Sequence, residues 1–325
     1  MSLLGIDVGT SGCKAATYST EGSCIASAHR EYATEHPRPG WAELNSCAVL
    51  AAVREVIAEV ATRTHADPIS ALCISSMGEA MTPVNASGEV LADSILQVDV
   101  RGAEYAQKLT EHFGLSAFYA INPNLPAPNY SLPKLLWMRD HEPALFEQAD
   151  KFLLWGDLVS VMLGGEAVTS YALANRTLLF DIHQENWADP LLAWAGIDSA
   201  KLPRPVPSGT IAGEVRPNLA KSLGLRKGVK IIVGAHDQCC NALGAGVFSG
   251  GKAVCGMGTV ECITPVYDGI PPAETMLPCR LNVEHHVVKG LYLSFIFNQS
   301  GSLVKWFRDT FAADLHGPEA YRQLM

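Results

Sequence analysis

The chain has 325 residues, of which 48% are hydrophobic and 18% charged, and its net charge is -9. This length and apolar content predict two globular units and exclude a disordered chain. The negative charge, with no basic stripe, excludes nucleic acid as a partner. The first residues, MSLLGIDVGTSG, reach Asp7 before any long apolar run, so we expect no signal peptide, no membrane partner and a cytoplasmic protein.

The first hundred residues predict a meander of strands followed by a helix. Apolar runs at 3–8, 14–19 and 24–32 are separated by Gly-Thr-Ser-Gly and Glu-Gly turns, which is typical of three antiparallel strands. Between 49 and 60 the apolar residues recur every three or four positions, which predicts an amphipathic helix.

Strands and helices then alternate along the middle of the chain. The apolar runs 69–75 and 95–98 predict buried strands, whereas 132–139 and 158–163 have helical spacing. A further short strand at 230–234 runs into Ala-His-Asp-Gln and a stretch of small residues that predicts a tightly packed helix. This alternation indicates an α/β layer fold.

A Gly-rich step at Ser249-Gly250-Gly251 separates this region from a new strand. We place a domain boundary there, which divides the chain into domains 1–248 and 249–325. The first strand of the chain runs into Asp7-Val8-Gly9-Thr10, and the strand after the boundary runs into Gly256-Met257-Gly258-Thr259. This weak repeat predicts two domains of common ancestry, each opening with a strand and a Gly-Thr turn.

The Gly-Thr turns have the composition of phosphate-binding turns. Glycine allows a tight hairpin in which backbone N–H groups converge on an anion, and neighbouring hydroxyls such as Thr10 and Ser11 add donors. Asp7 in front of Gly9 can hold Mg²⁺ through water, because that ion prefers oxygen ligands and dehydrates slowly. One such motif is also compatible with a plain hairpin turn, but its repetition after the boundary favours two phosphate-binding turns facing one crevice.

The cysteines and histidines form no recognisable metal motif. Nine cysteines are scattered without a C-x-x-C pair, which predicts reduced thiols that are mostly small core residues. His236, His285, His286 and Cys279 lack the helical ligand spacing of a zinc site, so we expect these histidines to be packing or surface residues.

Five segments, in the same order along the chain, resemble the FGGY family of carbohydrate kinases. They are LLGIDVGTSGCKAATYSTEG at 3–22, SLPKLLWMRDH at 131–141, 169–181 ending in NRTLLFD, GAHDQ at 234–238 and SLVKWFRD at 302–309. The resemblance implies an actin/hexokinase-type fold of two ribonuclease-H-like domains, each with a mixed five-stranded sheet flanked by helices. The active site would lie in the cleft between them.

The resemblance also implies an activity. It implies an ATP-dependent kinase that uses Mg²⁺ and phosphorylates a terminal hydroxyl of a small ketose or polyol, such as a pentulose, hexulose, tetritol or glycerol-like compound. A homodimer is one assembly that the resemblance allows. The alternative function is a catalytically silent sugar-binding or regulatory protein with the same fold.

Residue roles follow from the matching positions. Asp237 matches the family's general base, and Gln238 matches a partner of a substrate hydroxyl. The position of Asp237 between a strand and a helix would by itself favour a helix N-cap, whereas the family match favours the base. The magnesium and phosphate roles fall on Asp7, Gly9, Thr10, Ser11, Gly258 and Thr259.

The predicted sugar-binding residues depart from both nearest patterns. Xylulokinases have Met-His and glycerol kinases Arg-Glu where this chain has Met77-Gly78-Glu79. Glu79 is expected to accept hydrogen bonds from two substrate hydroxyls, the alternative being a solvated loop carboxylate. Asn129 stands five places before Lys134, where relatives carry an aromatic, small or methionine residue, so the exact substrate is not predicted.

The length of the chain adds one expectation. Relatives continue into a full second domain that holds adenosine, and no such site is found in these 325 residues. We therefore expect a complete first domain and a partial second domain, a chain that binds sugar but transfers phosphate poorly.

Overall fold

A computed structural model describes residues 1–257 and 260–312. Its strands, in chain order, are β1 Ser2–Val8, β2 Gly12–Ser19, β3 Cys24–Glu31, β4 Glu43–Leu44, β5 Ile69–Ser76, β6 Met81–Val84, β7 Ser94–Ile95, β8 Lys151–Leu154, β9 Val168–Ser170, β10 Phe180–Asp181, β11 Asn186–Trp187, β12 Arg204–Val206, β13 Ile211–Glu214, β14 Lys230–His236, β15 Ala253–Met257, β16 Val260–Asp268, β17 Glu284–His285, β18 Leu291–Leu293 and β19 Ile296–Gln299.

The α-helices are α1 Ser46–Thr62, α2 Ala103–Phe113, α3 Leu115–Ile121, α4 Ser131–His141, α5 Pro143–Gln148, α6 Trp155–Leu163, α7 Tyr171–Asn175, α8 Asp189–Ala195, α9 Pro217–Ser222, α10 Asp237–Gly244, α11 Ala273–Met276 and α12 Gly301–Phe311. A single 3-10 turn at Ser199–Lys201 is also present among the described residues. Within the same residues, no helix combines the length and the apolar character needed to cross a lipid bilayer.

The main sheet has the strand order β13-β14-β5-β1-β2-β3. The meander β1-β2-β3 is antiparallel, whereas β5 and β14 run parallel to β1. Five of these strands are the ones that the sequence predicts. The expected sheet of five strands is therefore wrong by one: a sixth strand, β13, pairs antiparallel with β14 at the sheet edge. Its four residues, which include Gly213, are too few to produce a recognisable alternation.

The core of this sheet is built from the predicted apolar faces. One face of α1 packs into the same cluster as the inward side chains of β1 and β5. The N-cap of α1 is Asn45, whose side chain accepts a hydrogen bond from the backbone N–H of Ala48. A second cluster, centred on Phe118, Phe152 and Phe180, joins the helices of the 103–202 region.

A second sheet begins after the Gly-rich step. It has the strand order β15-β16-β18-β17, and β19 also pairs with β16. This sheet shares a core with the first part of the chain, because Cys239 and Ala242 of α10 pack with Val266, Leu293 and Phe295. The two parts are therefore joined by buried apolar contacts.

The predicted strand 95–98 is wrong beyond its first residue. β7 ends at Ile95, and the following residues form a loop in which the backbone N–H of Leu96 donates to the carbonyl oxygen of Ala42. The Asp99 carboxylate accepts the backbone N–H of Ala42 at 2.7 Å. These tertiary hydrogen bonds replace the ladder that the apolar run suggested, and they leave Val98 exposed.

Candidate active site

The candidate site lies at the carboxyl ends of three parallel strands of the main sheet, β1, β5 and β14. Asp7, near the end of β1, is in register with Ser75 of β5, and His236, the last residue of β14, is in register with Ser76. Because the carboxyl ends of parallel strands meet at the same edge, Asp7 and Asp237 are brought together although 230 positions separate them in sequence.

A cavity of about 690 Å³ opens at this edge. Ten predicted site residues line it: Asp7, Gly9, Thr10, Ser11, Met77, Gly78, Glu79, Asn129, Asp237 and Gln238. Val260 and Phe297, from the part after the Gly-rich step, line it as well, so the cavity lies between the two predicted domains. The predicted second phosphate turn, Gly258-Thr259, lies outside the described residues.

The first Gly-Thr turn is a tight hairpin. The backbone N–H of Gly9 donates to the carbonyl oxygen of Gly12 at 3.0 Å, and the Tyr32 hydroxyl donates to the carbonyl oxygen of Gly9 at 2.6 Å. A Cβ atom on Gly12 would lie only 2.7 Å from the carbonyl oxygen of Arg30. Glycine is therefore required for β2 and β3 to approach at this point, which holds Thr10 at the cavity wall.

Asp7 faces a second carboxylate across the cavity. Partial burial and the negative charge of Asp237 raise the pKa of Asp7, while a hydrogen bond from the Ser75 hydroxyl, at 3.1 Å, opposes the rise. Asp7 and Asp237 supply carboxylate oxygens of the kind that Mg²⁺ prefers, and Lys14, which also lines the cavity, opposes the rise in the pKa of Asp7. The residues present therefore fit the ion that the sequence implies.

Asp237 is the first residue of α10 and follows β14 directly. The N-cap of this helix is His236, so Asp237 does not occupy the N-cap position that was its alternative interpretation. The side chain of Asp237 is 36% exposed, and its Oδ1 lies 3.3 Å from Nε2 of His236. The carboxylate is therefore oriented by a neighbour and still open to the cavity.

Glu79 is not a solvated loop residue, so that alternative is wrong. Only 7% of Glu79 is exposed, and its backbone adopts a left-handed conformation with φ of 58°. Nε of Arg176 donates to Oε1 of Glu79 at 2.8 Å, and Nη2 donates to the same oxygen. Arg176 also donates from Nη1 to Oε1 of Glu284 at 2.7 Å.

Arg176 is a site residue that the sequence interpretation did not single out. It follows α7 at its carboxyl end, and its guanidinium lies 4.7 Å from the centre of the Tyr130 ring. Burial by itself would lower the pKa of Arg176, but Glu79, Tyr130 and Glu284 together outweigh burial and raise this pKa above its ordinary value. Arg176 stands in the NRTLLFD segment that resembles the family, and this was the sequence signal that could have identified it as a site residue. Glu284 stands in no such segment.

Gly78 is explained by the same contacts. A Cβ atom on Gly78 would lie 3.1 Å from Cγ of Arg176 and 3.3 Å from Cδ2 of His236. These two side chains fill the space where a larger residue at position 78 would point. The resembling kinases have a histidine or an arginine at this position. In this chain the side chains of Arg176 and His236 pack against the backbone of Gly78 and occupy that space instead.

Lys134 and Asp99 support a loop instead of contacting the cavity. Nζ of Lys134 donates to the carbonyl oxygens of Arg101, at 2.9 Å, and of Asp99. Burial lowers the pKa of Lys134 to about 8. The guanidinium of Arg101 is bound to the Asp99 carboxylate and lies 3.8 Å from the centre of the Trp41 ring. This arrangement fixes the loop whose residues Gln97 and Val98 line the cavity.

Comparison with known proteins shows which proteins the chain resembles in sequence and fold. Residues 2–244 match the FGGY family of carbohydrate kinases, N-terminal domain. The chain is 28% identical over 326 residues to a xylulose kinase of Bacillus subtilis, covering 99% of this chain and 64% of that protein. A gluconokinase of Bacillus licheniformis is 26% identical, with 96% of this chain and 60% of that protein covered.

The crystal structure of a xylulose kinase from Rhodospirillum rubrum superposes with a TM-score of 0.92 at 27% identity, covering 100% of this chain and 66% of that one. The predicted fold class, an α/β protein of the actin/hexokinase type, is confirmed. The chain belongs to the FGGY family of carbohydrate kinases. It spans about two thirds or less of the length of these relatives.

Proposed function

We propose that this chain belongs to an ATP-dependent kinase that phosphorylates a terminal hydroxyl of a small ketose or polyol. The observation that carries the proposal is the meeting of Asp7, the Gly9-Thr10-Ser11 turn and Asp237 around one cavity. The named relatives, a xylulose kinase and a gluconokinase, support a small polyhydroxylated substrate.

In the proposed reaction, Asp237 orients the attacking hydroxyl and accepts its proton. The substrate oxygen then forms a bond to the γ-phosphorus of ATP, the bond from that phosphorus to the β,γ-bridging oxygen breaks, and ADP leaves. Phosphoryl transfer depends mainly on in-line positioning and charge neutralisation. The base therefore contributes orientation of the hydroxyl as much as proton removal.

The phosphate side of the cavity is proposed to lie at the first turn. Thr10 and Ser11 present hydroxyl and backbone N–H donors there, and Gly258 and Thr259 are proposed to do the same from the second domain. Asp7 would hold Mg²⁺ through water; when bound, the ion would offset charge on the phosphate oxygens.

The sugar side is proposed to lie against Met77, Gly78, Glu79, Asn129 and Gln238. Oε1 of Glu79 is occupied by Arg176, so Oε2 is the oxygen proposed to accept a substrate hydroxyl. A buried charged acceptor held by an arginine discriminates strongly between substrates that place a hydroxyl next to it and substrates that do not. The amide of Asn129 replaces the ring or apolar group of relatives, which favours a hydroxyl-rich substrate over an apolar contact.

Three further features are part of the proposal. The division into a first domain 1–248 and a second domain starting at 249 is proposed from the Gly-rich step and from the second sheet that follows it. A cytoplasmic location, expected from the first residues, and a homodimer, allowed by the family resemblance, stay predictions.

The test is a panel of xylulose, gluconate, glycerol and a tetritol, with ATP and Mg²⁺, in which sugar-dependent release of ADP by the intact protein is measured. Binding of each compound is measured separately by thermal shift. We expect one member to stimulate ADP release and Asp237→Asn to reduce the rate by about 10²- to 10⁴-fold with binding retained. If no polyhydroxylated compound stimulates the release of ADP, the kinase proposal is contradicted. If a compound binds but does not stimulate release, the catalytically silent alternative is favoured.

A further inference from the structure

A cluster of three metal-ligating side chains lies directly beneath the candidate active site. His236, Cys239 and Glu284 are buried, and their ligand atoms lie within 4.8 Å of one another. His236 and Cys239 are three residues apart at the start of α10, whereas Glu284 comes from β17 of the second sheet. The cluster therefore joins the two proposed domains.

An unsatisfied nitrogen points into this cluster. His236 is 6% exposed, and its Nδ1 makes no hydrogen bond within the described residues. Oε2 of Glu284 lies 3.5 Å from this Nδ1, and Sγ of Cys239 lies 4.0 Å from the same oxygen. Glu284 is thus an ion-pair neighbour of Nδ1 but not a hydrogen-bond partner, and the position of this buried nitrogen requires a physical explanation.

The spacing of the three atoms is close to that of a zinc site. A tetrahedral Zn²⁺ with bonds of about 2.0 Å to nitrogen and oxygen and about 2.3 Å to sulfur holds N and O about 3.3 Å apart. The same geometry holds S and O about 3.5 Å apart. Two of the three observed separations, 3.5 and 4.0 Å, exceed these by no more than half an ångström. The third, between Nδ1 of His236 and Sγ of Cys239, is at most 4.8 Å, so side-chain movements of about an ångström would complete the site.

The surroundings of the cluster resemble the outer shell of a metal site. Nε2 of His236 lies 3.3 Å from Oδ1 of Asp237, so this ring nitrogen can donate to a carboxylate while Nδ1 stays free to bind an ion. The other oxygen of Glu284 accepts from Nη1 of Arg176 at 2.7 Å, which fixes the orientation of the carboxylate. Glu79 and Glu284 share the single guanidinium of Arg176, and Asp237 lies beside His236, so a bound cation would offset the remaining negative charge.

We propose that His236 Nδ1, Cys239 Sγ and Glu284 Oε2 form a binding site for a thiophilic divalent cation such as Zn²⁺. His236 also lines the active-site cavity, which supplies the entry path. The occupied site crosslinks α10 to β17 and fixes the His236 tautomer that donates to Asp237. The site is distinct from the proposed Mg²⁺ position at Asp7, because a thiolate and an imidazole select a softer ion than Mg²⁺.

The test is metal binding by the intact chain after chelator treatment and removal of the chelator. Zn²⁺ affinity is measured by competition with a chromophoric chelator, and Co²⁺ is added in parallel as a spectroscopic probe. We expect one tight equivalent of Zn²⁺, and with Co²⁺ a thiolate charge-transfer band together with the intense d–d bands of a tetrahedral site. Excess Mg²⁺ should not displace either ion.

Variants identify the ligands. Cys239→Ser and Glu284→Gln should each weaken Zn²⁺ binding at least about tenfold and remove or alter the Co²⁺ spectrum. Cys240→Ser is the matched control: this neighbouring thiol, half-buried on the same helix, contacts the carbonyl oxygen of Ala235 and should leave the affinity unchanged. Circular dichroism establishes that each variant is folded.

Two results would overturn the proposal. One is a wild-type protein that binds Co²⁺ without a thiolate band, which needs no variant to interpret. The other is Zn²⁺ affinity that stays the same in folded Cys239→Ser, because binding would then come from exposed cysteines such as Cys24 or Cys279. Either result would leave His236 as a charged bridge between Asp237 and Glu284.

Discussion

Arg176 holds two buried carboxylates in position next to the cavity. It binds Glu79 and Glu284, and all three side chains are almost completely buried. A buried ion pair contributes little net stability compared with apolar packing, but removal of one partner leaves a buried charge uncompensated. The arginine is therefore retained for the position of the two carboxylates, and its loss is costly.

We predict that Arg176→Met destabilises the chain by about 3–5 kcal/mol, because two buried carboxylates lose their counter-ion. Urea unfolding followed by circular dichroism measures this loss. The control is Arg204→Met, whose ion pair with Glu166 is exposed on both sides, and which should change stability little. Equal effects of the two substitutions would contradict the role given to Arg176.

Lys134 gives a prediction about pH at the same scale. Its pKa of about 8 in the folded chain lies below the ordinary value of 10.5, because burial disfavours the charged form. Between these values the unfolded chain holds a proton that the folded chain has lost, so stability increases as pH rises through this window. The full gain is on the order of 3 kcal/mol.

The measurement compares wild type with Lys134→Met at several pH values from 7 to about 10. The difference in stability between the two proteins at each pH removes the contribution of the thiols and phenols that also titrate in this range. We expect the stability of wild type relative to Lys134→Met to rise above pH 8. A difference that stays constant with pH would show that Lys134 keeps its ordinary pKa.

At the scale of elements, the site depends on how closely β5 and β14 approach. A Cβ atom on Gly234 would lie 1.9 Å from the carbonyl oxygen of Ile74 in the neighbouring strand. The register of the two strands shifts between Val233 and His236, just where the chain turns toward the cavity. Glycine at 234 thus permits the approach that places Asp237 at the sheet edge.

We predict that Gly234→Ala destabilises the protein by about 3 kcal/mol or more, since backbone atoms must move to make room for the methyl group. Thermal unfolding measures the effect. Gly5→Ala in β1 is the control, because its Cβ atom would meet only ordinary contact at 3.9 Å and should change stability by about 0.5 kcal/mol or less. If Gly234→Ala has only a mild effect on stability, the two strands can move apart without a loss of stability, and the prediction is contradicted.

At the scale of the whole molecule, the two parts of the chain share buried contacts. The cluster of Cys239, Ala242, Val266, Leu293 and Phe295 crosses the proposed boundary. A polar contact accompanies it, in which Nδ2 of Asn175 donates to the carbonyl oxygen of Val283 at 2.8 Å. Sheets joined in this way are expected to unfold together.

We predict that Leu293→Ala, at a fully buried position, lowers the stability of the whole described chain by about 2–5 kcal/mol in a single transition. Circular dichroism and hydrogen exchange in the 69–76 strand should report the same midpoint. An early separate transition, with the first domain unaffected, would contradict the shared core.

Much of the fold was predictable from sequence because its signals are local. The alternation of β1 to β3, the helical spacing of α1 and the apolar strands β5 and β14 each lie within a single segment. The two-residue strands β4 and β7, and the four-residue β13, carry too few residues for a period to be recognised. Their existence depends on pairing partners elsewhere in the chain.

The sequence by itself determined the family, the main elements and the residues of the candidate site that stand in short motifs: Asp7, the Gly9-Thr10 turn and Asp237. The tertiary structure alone decided that Arg176 binds Glu79, and that Glu284 joins His236 and Cys239. The physical reason is that hydrogen bonds and ion pairs between distant segments depend on side-chain separation in space. No periodicity or spacing along the chain records that separation.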